Sequence, residues 1–148
     1  MFIIACTIAA ISLNPFWIIA PSLFSGKKNT KYMSWLGSAC GVISSPFLIL
    51  LAVIPGDIDL AGHLLATNCF FLLFSAAILI YSIAIFLNED YQNIYALVGI
   101  AFSIFIVLYP LVFRQIDLIR ATTQKIIVYG FCLWVVFQVT KVWKEVGP

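Results

Sequence analysis

Few residues in this chain are equipped for chemistry. Asp57, Asp59 and His63, the only histidine, stand together ahead of a long apolar run. Asp59 and His63 are four residues apart, a spacing that places two side chains on one helical face, where a carboxylate can orient and charge an imidazole. Such a pair can bind a cation, relay a proton or grip a lipid headgroup. The same residues have a plainer use, because aspartates favour helix N-termini whatever the protein does. On that reading they cap a helix and His63 sits at its polar mouth.

A second group lies near the predicted midplane of two apolar runs, where Asn14-Pro15 in the first and Ser44-Ser45-Pro46 in the next come to similar depths. Proline removes a backbone hydrogen bond and frees a carbonyl, which neighbouring amide and hydroxyl groups can turn into a polar pocket. Paired broken helices serve transporters in this way. Prolines are also ordinary in membrane helices, and serine often bonds its own backbone. Gly37, Gly41 and Ser45 form a small-xxx-small row, repeated by Gly99 and Ser103, and such rows let helices approach closely. Gln138 and Thr140 can add hydrogen bonds between helices, whereas Lys141 reaches for the membrane surface.

Cys6, Cys40, Cys69 and Cys132 are scattered through apolar sequence without a CxxC pair, the pattern of small buried hydrophobes and not of a metal or redox centre. HExxH, GxSxG and Walker motifs are absent, so the residues imply neither a metal nor a cofactor. No ionisable group lies deep in the apolar runs, where proton relays place theirs.

The elements that carry these residues follow from composition. Of 148 residues, 64% are hydrophobic, against roughly 45 to 50% in soluble domains. All charged residues fall in four linkers and a C-terminal tail, separating apolar stretches near 2–24, 33–54, 63–87, 94–113 and 126–143. Each matches the roughly 20 residues a helix needs to cross a bilayer. Phe70-Phe71-Leu72-Leu73-Phe74 lacks the alternation of a barrel strand. The expected fold is therefore all-α, a single polytopic transmembrane helical bundle of five spans with sequence neighbours antiparallel. A net charge of +2, spread over several linkers, excludes a nucleic-acid surface.

Lysine and arginine favour the cytoplasmic side. With the N-terminus outside, Lys27, Lys28, Lys31, Lys141 and Lys144 lie inside, against Arg114, Arg120 and Lys125 outside. The linker from Arg114 to Lys125 runs against this trend, as a charged amphipathic turn on the surface would. Tyr32, Trp35, Tyr91, Tyr95 and Trp143 would gather at the inner interface. The N-terminal run begins without a basic n-region and is read as a retained span.

From Asn14-Pro15-Phe16 through Pro55-Gly56-Asp57, His63, Ala66 and Phe70-Phe71, the order of features resembles a prokaryotic family of uncharacterised multi-span membrane proteins. That family is itself distantly similar to damage-regulated autophagy modulators. The stretch Gln124-Lys125-Ile126-Ile127 followed by Trp134 is similar to its last span. Members usually carry one span more, so the resemblance implies a missing first span. It implies no activity, and adds interest to Asp57 and His63.

The expected function is a non-catalytic integral membrane protein of a prokaryotic cytoplasmic membrane, interacting with membrane lipids or serving as an accessory subunit, as a homo-oligomer or with a membrane-complex partner. A small transporter or channel built on the Asn14 and Ser45 pocket is the alternative. An enzyme acting on lipid headgroups through Asp57 and His63 is the third.

Overall fold

In hydrocarbon each backbone N–H and C=O must be satisfied within the protein, and a helix does this inside a single segment. The computed structural model describes residues 2–24, 28–89, 91–112 and 115–146, without the side chains of 117, 120–121 and 142–146. Five helices account for nearly all of them: α1 (Phe2–Ile19), extended by a 3₁₀ turn (Ala20–Leu23), α2 (Lys28–Val53), α3 (Leu60–Phe86), α4 (Asn93–Leu111) and α5 (Asp117–Val146). All five are long and apolar enough to cross a membrane. The shortest span once α1 is taken with its 3₁₀ turn, α4 with 19 residues, is about 28 Å long at 1.5 Å per residue, close to the hydrocarbon thickness of a bilayer. The chain is an all-α helical bundle with the features of an integral membrane protein.

Helix starts differ from the apolar boundaries. α2 begins at Lys28 and not Met33, α3 at Leu60 and not His63, and α5 at Asp117 and not Ile126. Hydropathy marks where a helix enters lipid, not where it forms. Neither 28–32 nor 117–125 contains a Gly or Pro to stop the helix from running on. The linker expected as a surface turn is thus helical from Asp117 onward. Lys27 and Arg114, and the side chains of Arg120, Trp143 and Lys144, lie outside the described residues.

Neighbouring helices run antiparallel. Trp17 meets Gly41 across α1 and α2, and Gly37 meets Tyr81 across α2 and α3. Ser82 meets Gly99 across α3 and α4, and Phe102 meets Gly130 across α4 and α5. α2 and α3 form the tightest pair, and α3 is the centre of the bundle. A Cβ on Gly37 would lie 3.2 Å from both the Ala77 carbonyl oxygen and the Tyr81 nitrogen, so here one backbone lies directly on another.

Aromatic rings fill the space around α3. Trp17 of α1 packs edge-on against Phe74 and Tyr81, and Phe74 meets Phe131 of α5 with centroids 4.6 Å apart. Trp134 of α5 joins Trp17 at 6.0 Å and Tyr81 at 6.2 Å. These rings tie α5 to α1 and α3. Edge-to-face geometry at such distances is favourable, and the large faces supply dispersion contacts where lipid provides no hydrophobic drive between helices.

Candidate functional sites

At the face where α1, α3 and α5 begin, the acidic residues and the histidine do separate jobs. Asp59 caps α3, its Oδ1 accepting from the Gly62 N–H at 2.9 Å. His63 Nδ1 lies 2.8 Å from the Ile54 carbonyl oxygen. A carbonyl only accepts, so Nδ1 carries the proton and donates, and the ring ties the end of α2 to the start of α3. The imidazole's bond thus runs to Ile54 and not to the carboxylate of Asp59. Asp57 is exposed.

The second predicted group is partly joined. Ser45 Oγ donates to Asn14 Oδ1 at 3.0 Å, linking α1 to α2. Ser44 Oγ instead bonds the Gly41 carbonyl of its own helix at 2.6 Å. Pro15 and Pro46 lie within continuous helix and face outward. The groove described below is lined by none of these residues.

The small-residue rows are used inside the chain. Gly37 faces α3, while Gly41 and Ser45 face Trp17 and Asn14 of α1. Gly99 packs on Ser82 of α3 and on Trp134 of α5. Ser75 Oγ donates to the Ser103 carbonyl at 2.9 Å, and Ser103 Oγ to Ile100 at 2.8 Å.

Two features lie outside the two candidate clusters read from the sequence, although Gln138 in the second was expected to bond between helices. The first is a groove of about 320 Å³ between α1 and α5, in the half of the bundle where those helices begin. Ala5, Cys6 and Ala9 form one wall, Ile127, Phe131 and Cys132 the other, and Phe70, Phe71 and Phe74 of α3 the floor. No charged residue lines it. Its volume is near the lower end of the roughly 300 to 1,000 Å³ typical of small-molecule pockets.

The second is a polar layer in the opposite half. Trp17 Nε1, Ser34 Oγ, Ser38 Oγ, Ser82 Oγ, Trp134 Nε1 and both amide atoms of Gln138 are buried without a hydrogen-bond partner among the described residues. Tyr81, fully buried in the same layer, has its hydroxyl beside that of Tyr91. Thr140 bonds the Phe137 carbonyl of its own helix at 2.9 Å, so it does not join α5 to a neighbour. Lys141 is half-buried, its Nζ 5.1 Å above the Tyr91 ring. Tyr91 is itself buried and stacked on Phe24, whereas Tyr32 and Trp35 are exposed. Depth matching, the reasoning that pairs Asn14 with Ser45, finds this layer when applied to Ser34 and Ser38, Ser82, and Trp134 and Gln138.

Among the described residues, no group of three His, Cys, Asp or Glu side chains is placed to hold a metal ion.

Comparison with protein families, characterised proteins and solved structures finds no match.

Proposed function

We propose that the protein is a non-catalytic, lipid-binding integral membrane protein that holds an acyl chain in the groove between α1 and α5. The carrying observation is the groove itself: an apolar trough of about 320 Å³, floored by three phenylalanines and lying on segments that cross the membrane. The medium at that depth is lipid chain. A trough walled by α1 and α5 and floored by α3 lets a chain contact three helices at once, and the summed dispersion contacts favour it over chains that slide along the outer surface. The glycine and serine rows are occupied inside the chain, which favours lipid over a second copy as the first-order partner.

We place the protein in a prokaryotic cytoplasmic membrane with the N-terminus outside, on the lysine balance. Kinship with the multi-span family that the Pro55-Gly56-Asp57 and His63 order resembles belongs to the same proposal. Labelling of single cysteines introduced at Lys28 and Asp57 in whole cells tests the orientation, with only the Asp57 position reacting with an impermeant reagent.

The lipid reading is tested by native mass spectrometry of protein extracted in mild detergent. Ala9→Trp, which fills the groove from α1, should lose the co-purifying lipid while keeping its helix content and melting temperature. Equal lipid retention in Ala9→Trp and the parent would contradict the reading.

A further inference from the structure

The groove between α1 and α5 is apolar along its length, but on α5 the sequence turns polar where the wall ends. Ile127, Val128, Phe131 and Cys132 make that wall. Lys125 comes just ahead of it, three residues before Val128 and seven before Cys132, spacings that place side chains on one face of a helix. Long side chains on a helix lean back toward its N-terminus, and lysine carries its ammonium to the polar layer in this way. For α5 that direction is the face of the bundle where α1, α3 and α5 begin. Lys125 is exposed. Residues 118–144 contain no Asp or Glu, so α5 offers it no carboxylate at the three- or four-residue spacing of a helical ion pair. It also stands directly before the apolar stretch 126–143, at the level where acyl chains give way to glycerol and phosphate.

We propose that the groove selects a phospholipid of net negative charge, with its acyl chain against Phe70, Phe71 and Phe74 and its phosphate on the Lys125 ammonium. The proposal rests on the acyl-chain reading of the groove and adds the class of lipid. It also gives a use to the segment from Arg114 to Lys125, whose basic residues run against the lysine balance of the rest of the chain. A zwitterionic headgroup presents the same phosphate but brings an ammonium that Lys125 repels. One lysine close to anionic lipid corresponds to about a fivefold preference.

Native mass spectrometry of the full chain in mixed micelles reads that preference, by titration with phosphatidylglycerol and phosphatidylcholine of identical acyl chains. The parent should retain phosphatidylglycerol about fivefold more strongly. Lys125→Gln should bind the two lipids equally, and Lys125→Arg should keep the preference. Lys28→Gln, at the opposite face where α2 begins, should leave it unchanged. Equal retention of both lipids by the parent, a preference that persists in Lys125→Gln, or the same loss in Lys28→Gln would overturn the headgroup assignment and leave the acyl-chain reading standing. A parent that retains neither lipid, or an Ala9→Trp variant that retains both, would overturn the acyl-chain reading and the headgroup assignment with it.

Discussion

Gly41→Ala tests how the aromatic centre holds the bundle together. The added Cβ would lie 2.7 Å from Trp17 Cγ and closer still to two other indole carbons. Carbon atoms pack best at about 3.5 to 4.0 Å, so the indole has to retreat by roughly 1 Å. Trp17 is fully buried and ringed by Phe16, Phe74, Tyr81 and Trp134 at centroid distances of 4.9 to 6.3 Å, so that retreat disturbs four neighbours. Overpacking of this kind costs about 1 to 3 kcal/mol. Alanine's better helix propensity returns up to about 1 kcal/mol. The expected net loss is therefore up to about 2 kcal/mol. At Gly37 a Cβ meets backbone at 3.2 Å, needing a shift of only a few tenths of an ångström, so Gly37→Ala should be near neutral. Trp17→Leu removes the ring that the added methyl group would strike, and in that background Gly41→Ala should cost nothing. Reversible unfolding in mixed micelles, followed by far-ultraviolet circular dichroism, measures all four corners of the cycle. Effects of Gly41→Ala and Trp17→Leu that add within about 0.5 kcal/mol would refute the packing argument.

Smaller perturbations follow from the caps and interhelical bonds. Asp59→Ala should destabilise by about 1 kcal/mol through loss of the α3 cap, while Asp57→Ala leaves the same unfolding curve unchanged. His63→Phe removes the bond to Ile54 and should cost about 0.5 to 1.5 kcal/mol in the same assay without lowering lipid retention. Loss of lipid in that variant would return His63 to a direct ligand role. Ser45→Ala breaks the bond to Asn14 and should cost about 0.6 kcal/mol, the average for such bonds between membrane helices. A cost above about 2 kcal/mol, beyond the largest such bond, would mean that Asn14 does more than join α1 to α2.

The spans were legible because charge is confined to linkers, and the Asn14 and Ser45 bond because both lie at one depth in antiparallel neighbours. Which face of each helix turns inward was not legible. Phe71 is buried and Leu72 exposed within one unbroken apolar run, since lipid and protein interior present the same polarity and leave no amphipathic signature. For the same reason the phenylalanine floor of the α1 and α5 groove could not be told from lipid-facing surface. Trp17 and Trp134 stand at the centre of the bundle, although tryptophan in a membrane protein first suggests an interfacial anchor. The roles of Asp59 and His63 depended on where α3 begins, and a helix start outside the hydrocarbon leaves no mark in hydropathy.

Photolabelling in proteoliposomes tests the central claim most directly. A phospholipid with a diazirine near the chain terminus should place its adducts chiefly on Ala9, Phe74, Phe131 and Cys132, which line the α1 and α5 groove, and Ala9→Trp should abolish that enrichment. Adducts spread evenly over outward residues such as Ile8, Ile11 and Leu72, with no change in Ala9→Trp, would contradict a bound acyl chain.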